Sequence, residues 1–174
     1  MIFKKPNFWD LKKPNLISNL LSPLSIFIKI NNFFLNFKSK KKYQDLKTIC
    51  VGNIYVGGTG KTPTTIKLYN LLKEFNNNIS TAKKYYSAHY DENIILENKT
   101  NFISGTSRKE IIKKAIHLNK KILIFDDGLQ DKHVSYDLQF VCFDSSKWIG
   151  NGRLLPAGPL REKIESIEKY DAIF

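Results

Sequence analysis

The chain has 174 residues, 42% of them hydrophobic, and carries 28 Lys+Arg against 16 Asp+Glu for a formal net charge of +12. That is enough to bury the core of one modest domain. Its two cysteines, Cys50 and Cys142, each sit in an apolar strand-like run, which excludes a disulfide framework. A surface this basic attracts phosphates, nucleic acid or an anionic membrane, but the charge is almost all lysine and no interleaved aromatic–basic signature accompanies it, which argues against a nucleic-acid module.

From Leu16 to Phe37 the chain is mostly apolar. Asn15, Ser18, Asn19, Ser22, Ser25, Lys29, Asn32 and Asn36 recur every three or four residues and draw one polar stripe along a helix. Pro23 is expected to kink that helix or divide it. Lys38, Lys40, Lys41 and Lys42 follow at once. An amphipathic helix with aromatics and a lysine cluster reads as a segment lying in the interface of an anionic membrane, each lysine contributing on the order of 1 kcal/mol there. The alternative is a helix that packs on the domain. A cleaved signal peptide is not expected, since no small-residue cleavage site follows the apolar run. Residues 1–45 are therefore read as a membrane-interface segment and 46–174 as the core.

The core alternates short strands and helices. Thr48–Val51 reads as a strand, then a glycine-rich loop, then a helix to about Phe75, ended by Asn76-Asn77-Asn78. Ile79–Ala82 follows as a strand, and a polar loop runs through His89, Tyr90, Asp91 and Glu92. Asn93–Leu96 and Asn101–Ile103 read as short strands. Ser107–Leu118 reads as a helix capped by Ser107 with Glu110 three residues on. Lys121–Phe125 and Leu138–Phe143 read as buried strands, Asn151–Leu160 as a Gly/Pro-rich loop, Lys163–Lys169 as a short helix, and Ala172–Phe174 as the start of a strand. The pattern predicts an α/β fold, a mostly parallel sheet flanked by helices, preceded by the N-terminal amphipathic helical segment; the loop Gly57-Gly58-Thr59-Gly60-Lys61-Thr62 between its first strand and helix makes that fold P-loop NTPase-like.

Two motifs carry chemistry. In Tyr55-Val56-Gly57-Gly58-Thr59-Gly60-Lys61-Thr62, between strand and helix, glycines let backbone N–H groups close on phosphates. Lys61 supplies a point charge for the β and γ oxygens of a nucleotide, and the Thr62 hydroxyl can reach Mg²⁺. The usual motif has glycine where Tyr55 stands; the Gly57-Gly58 pair is expected to restore the lost freedom. The second motif, Ile122-Leu123-Ile124-Phe125-Asp126-Asp127-Gly128, is a strand that delivers two carboxylates at its C-terminal edge, where an acid completes the Mg²⁺ shell.

These two motifs and the run Gly150-Asn151-Gly152-Arg153-Leu154-Leu155-Pro156-Ala157-Gly158-Pro159-Leu160-Arg161-Glu162 resemble the tetraacyldisaccharide 4′-kinases, the lipid A 4′-kinases of Gram-negative bacteria. Pro6-Asn7-Phe8-Trp9 and Leu21-Ser22-Pro23-Leu24-Ser25 also look like that family's N-terminus. The resemblance implies transfer of the ATP γ-phosphate to the 4′-hydroxyl of a tetraacyldisaccharide 1-phosphate, with Mg²⁺, at the cytoplasmic face of the bacterial inner membrane by a peripheral or monotopic protein. It implies Lys61 and Asp91 as catalytic, Asp91 being the base, and Thr62, Asp126 and Asp127 at the metal. The partners it implies are the lipid A precursor and an anionic membrane surface, not nucleic acid; oligomeric state is left open. The other class compatible with the motifs is a membrane-associated P-loop NTPase switch without lipid kinase activity, whose ATP consumption would not depend on a lipid acceptor. Three departures stand out: Lys83-Lys84-Tyr85-Tyr86-Ser87 replaces the family's Ser-Arg-Gly-Tyr-Gly pattern, Asp131 stands where many members have His, and the chain ends about halfway through a family-length protein. A fragment of a longer product, lacking a second lobe, is the expectation that follows.

Overall fold

A computed structural model of the chain describes residues 5–36, 40–85, 90–131 and 133–174. The end of the expected N-terminal helix at Phe37, Lys38 of the basic cluster, Tyr86 and Ser87 of the divergent segment, and His89 lie outside the described residues, as do the side chains of Leu35, Asn36 and Tyr90.

Helices α1 (Leu16–Leu21) and α2 (Ser25–Asn36) are separated by a 3₁₀ turn over Ser22–Leu24, so Pro23 divides the segment. The Asn15 side chain caps α1 by accepting from the Ser18 N–H at 2.9 Å. Then come β1 (Lys47–Gly52), α3 (Lys61–Lys73), β2 (Ile79–Lys84), α4 (Tyr90–Lys99), β3 (Phe102–Gly105), α5 (Arg108–His117), β4 (Ile122–Asp126), β5 (Leu138–Val141), a 3₁₀ turn over Ile164–Lys169 and β6 (Ala172–Ile173). Ser107 caps α5 as expected, its hydroxyl accepting from Glu110 N–H.

The strands form one sheet in the order β3-β2-β4-β1-β5-β6, and every pairing is parallel. Alternation along β1 and β4 separates two apolar layers. Cys50, Leu123 and Phe125 pack with Ile111, Ile112 and Ala115 of α5. Ile49, Val51 and Ile124 pack with Tyr69, Leu68 and Leu72 of α3. The helices thus cover opposite faces, as parallel strands buried on both sides require. Cys50 and Cys142 are free and buried in different layers.

One expectation fails. Residues 90–96 were expected as a polar loop followed by a strand over Asn93–Leu96; they form the first turns of α4 instead. Among the described side chains of α4 only Asn93 and Leu96 are buried, a single i, i+3 pair facing the core. Ile94-Ile95 then reads locally as strand, and packing against α3 overrides it.

The N-terminal segment docks by its polar stripe. Ser18 Oγ donates to the Ala157 carbonyl at 2.7 Å, Ser25 Oγ to the Leu154 carbonyl at 3.0 Å, and Asn32 Nδ2 to the Arg161 carbonyl at 3.0 Å. The apolar stripe faces away from the protein: Leu16 is 83% exposed, Leu20 75% and Phe27 67%. The pairing is physically reasonable, because the loop at 150–161 presents backbone carbonyls, each with room for a second donor, to the polar stripe of α1 and α2.

That loop is fixed from behind. Asn151 N–H donates to the Trp9 carbonyl at 2.9 Å, and the Trp9 indole returns a bond to the Pro156 carbonyl at 3.0 Å. Gly150 has φ +57, and a Cβ there would sit 2.2 Å from the Trp9 carbonyl oxygen. Gly150→Ala is therefore expected to cost ~2 kcal/mol or more. Urea unfolding checks it, with Gly58→Ala, whose Cβ would meet nothing within 4 Å, leaving the midpoint unchanged.

Candidate active site

The site lies at the C-terminal edge of the sheet, where β1 runs out beside β4. Open α/β sheets bind ligands at this edge. The chain leaves β1 at Gly52, passes through residues 53–60 and enters α3 at Lys61. Gly60, at the helix N-cap, has φ +79, a left-handed conformation that glycine adopts without strain. Asn53 is fully buried and braces the loop, donating from Nδ2 to the Gly57 carbonyl at 3.1 Å and to Thr59 Oγ1 at 3.0 Å. Tyr55 does not join the loop's open face. It packs with Leu154 and Leu160, and its hydroxyl bonds Lys5 and Asp10. The position that usually holds glycine is an anchor for the Gly150–Glu162 run.

A cavity of about 380 Å³ opens over this loop. Val56, Gly57, Gly58, Lys61, Lys83, Lys84, Glu92, Arg108, Asp126, Asp127 and Arg161 line it. Five cationic side chains face three carboxylates, at the N-terminus of α3, whose first N–H groups lack helical partners. Such a lining suits a polyphosphate.

The acidic motif arrives as expected. Asp126 ends β4, in register with Val51 of β1. It is fully buried, and its Oδ2 accepts from Thr62 Oγ1 at 2.8 Å. Its Oδ1 is buried with no hydrogen-bond partner among the described residues. Asp127 turns the chain out of the strand with φ +71, its N–H donating to the Val51 carbonyl at 2.8 Å. Arg108 holds that turn, donating to the Asp127 carbonyl at 3.0 Å and pairing with Asp131 at 2.6 Å. Asp131 is kept ionised by these contacts: burial works against its charge, but the His133 N–H and the Arg108 guanidinium bring its carboxyl below the ordinary range.

Asp91 stands apart from this lining. It is exposed in the first turn of α4, while its neighbour Glu92 reaches the cavity. Five lining groups were given no role by the sequence reading: Lys83, Lys84, Glu92, Arg108 and Arg161. Arg161 belongs to the run already singled out, and its N–H donates to the Ile54 carbonyl at 2.7 Å. Arg108 is the first residue of α5. Lys83 is the largest surprise, a buried lysine whose Nζ lies 2.6 Å from Asp126 Oδ2 and also pairs with Glu92. Burial opposes its charge, yet the two carboxylates outweigh that and raise its pKa above the ordinary lysine value.

The Gly150–Glu162 run closes one side. Val56 N–H donates to the Pro159 carbonyl at 2.9 Å. Gln130 bridges the motifs, donating to the Asn53 carbonyl at 2.9 Å and to Glu162 at 3.2 Å, and accepting from Arg161 at 3.3 Å.

A family model described as tetraacyldisaccharide-1-P 4′-kinase matches residues 17–174. A tetraacyldisaccharide 4′-kinase of Pelagibacter ubique is 44% identical over 176 residues, covering 100% of this chain and 55% of the relative. One of Rickettsia conorii is 34% identical over 186 residues, covering 97% of this chain and 57% of the relative. The chain thus spans about half the length of the curated relatives it matches. Among solved structures, LpxK from Aquifex aeolicus in complex with ATP superposes with a TM-score of 0.71 at 25% identity, over 91% of this chain and 58% of the other.

Proposed function

Since the chain belongs to the tetraacyldisaccharide-1-P 4′-kinase family, we propose that it transfers the γ-phosphate of ATP to the 4′-hydroxyl of a tetraacyldisaccharide 1-phosphate, a lipid A precursor. The observation that carries this reading is the cavity itself: Gly57, Gly58, Lys61, Asp126 and Arg161 line it together, and Thr62 bonds to Asp126.

In this reading the triphosphate lies over residues 57–62, with backbone N–H groups and Lys61 on its β and γ oxygens. Mg²⁺ would be held by Thr62 and Asp126, with Asp127 beside them. A buried carboxylate oxygen without a partner suits a hard cation that takes one or two protein ligands and fills its shell with phosphate and water. Among the described residues no group of three or more His, Cys, Asp and Glu could hold a metal alone, and such a site needs none. When bound, the ion neutralises charge on the transferring phosphoryl group. The 4′-oxygen bonds to the γ-phosphorus, the bond to the bridging oxygen breaks, and ADP leaves with that oxygen. Asp91, exposed in the first turn of α4 outside the cavity lining but next to the lining residue Glu92, would take the hydroxyl proton from an acceptor that approaches along that helix end. Lys61, Arg108 and Arg161 spread the transition-state charge.

The acceptor is a lipid, and we place the chain at the cytoplasmic face of the bacterial inner membrane. Among the described residues no helix is long and apolar enough to cross a bilayer. The outward apolar stripe of α1 and α2 supports a chain lying in the interface, with Lys40 and Lys41 near the headgroups.

The test is ATP-dependent phosphorylation of a tetraacyldisaccharide 1-phosphate in mixed micelles. Acceptor-dependent ADP release with phosphorylated lipid supports the reading. ATP hydrolysis that is indifferent to the acceptor would replace it with a nucleotide switch.

A further inference from the structure

Lys83 is out of place for a phosphate-binding lysine. It is 4% exposed, at the end of β2, and its ammonium is aimed down at Asp126 and Glu92. Asp126 Oδ2 receives two donors, Thr62 Oγ1 at 2.8 Å and Lys83 Nζ at 2.6 Å. The same carboxylate and hydroxyl are the oxygens available to a divalent cation. A positive charge is thus already fixed by a covalent tether where a second one would bind. The register of β2 against β4 holds it there, with Ala82 opposite Phe125. Its stem is packed in protein, so the ammonium has little freedom to leave.

From this geometry we propose that Lys83 is a tethered cation that competes with divalent metal for Asp126. It keeps the Thr62–Asp126 seat neutralised when the cavity holds no nucleotide, and admits metal chiefly together with a triphosphate whose negative charge offsets both cations. Lys83 is a positioning residue, acting through Asp126. The proposal rests on the kinase reading for the identity of the metal seat, but its test does not depend on turnover.

The effect of removing Lys83 has a definite sign. Two like charges a few ångströms apart in a buried site shift each other's binding by roughly tenfold or more. Mn²⁺, a paramagnetic stand-in for Mg²⁺, is titrated into the full chain without nucleotide or lipid, and free Mn²⁺ is read by electron paramagnetic resonance. Lys83→Met is expected to bind Mn²⁺ about tenfold more tightly than the unsubstituted chain. Lys83→Arg, which keeps the charge, should restore the original affinity. Asp126→Asn in the Lys83→Met background should remove the gain. Circular dichroism verifies the fold of each variant, and Lys83→Ser replaces Lys83→Met if the latter does not fold. Equal or weaker Mn²⁺ binding by the folded uncharged variant overturns the proposal, and so does a gain that survives Asp126→Asn. Loss of stability alone, with unchanged metal affinity, would make Lys83 structural. Failure here leaves the lipid phosphorylation result untouched, and the reverse also holds.

Discussion

Lys61→Ala is expected to lower phosphorylation of the lipid acceptor at least a hundredfold, while melting temperature stays close to that of the parent. Lys61 opens α3 and lines the cavity. Its removal takes a preorganised positive charge from the transferring phosphate without disturbing the Thr62–Asp126 hydrogen bond. Loss of one such group costs ~3–4 kcal/mol in the transition state. Initial rates at saturating ATP, beside a thermal melt, separate the chemical effect from a folding defect. A rate within a few fold of the parent would remove Lys61 from the phosphate site.

The outer face of α1 and α2 should show the opposite pattern, with binding lost and the fold kept. Leu20, Phe27 and Phe34 are 75%, 67% and 65% exposed. Each contributes about 1.5–3 kcal/mol if it leaves water for lipid. Replacing all three with glutamate is expected to shift the chain from pellet to supernatant in sedimentation with anionic vesicles, a change in partition of roughly a thousandfold. The urea midpoint should hardly move, because none of the three supports the core. Ser18→Val is the complement: it removes one of the two donors to the Ala157 carbonyl, Asn151 Nδ2 being the other, and puts a methyl group in a buried polar contact, so it should loosen the fold while leaving the apolar face intact.

These contrasts show where sequence was informative. Strong local rules made β1, α3, α5 and β4 readable: a glycine-rich turn between strand and helix, a Ser107 cap, and a four-residue apolar run ending in acid. Thr62 and Asp126 lie 64 residues apart, yet each motif's place at a strand end predicted their meeting. Other features depended on contacts that no local pattern encodes. Among its described side chains α4 buries too few positions to display a helical period. Periodicity marked two faces on α1 and α2, but could not say which turned inward, because that choice follows from the carbonyl-rich loop at 150–161. Lys83 looks from sequence like an ordinary surface lysine at a strand end. Only the pairing of β2 with β4 puts it against Asp126. Tyr55 was read with the phosphate loop by position alone, whereas its ring belongs to the packing around Leu154 and Leu160.

The bond from Asn32 of α2 to the Arg161 carbonyl has a geometric consequence. The same residue is tied through its N–H to Ile54, just ahead of the glycine-rich loop. Between the outward apolar stripe and the phosphate cavity there is thus a short, hydrogen-bonded spacer rather than a flexible tether. For a chain resting on a bilayer with the proposed activity, this spacer would act as a ruler: it would set how far above the acyl chains the phosphoryl group is delivered. An acceptor hydroxyl at headgroup height would be in reach, and the same sugar raised on a long polar linker would not. Discrimination of that kind comes from elevation, and needs no contact with the acyl chains themselves.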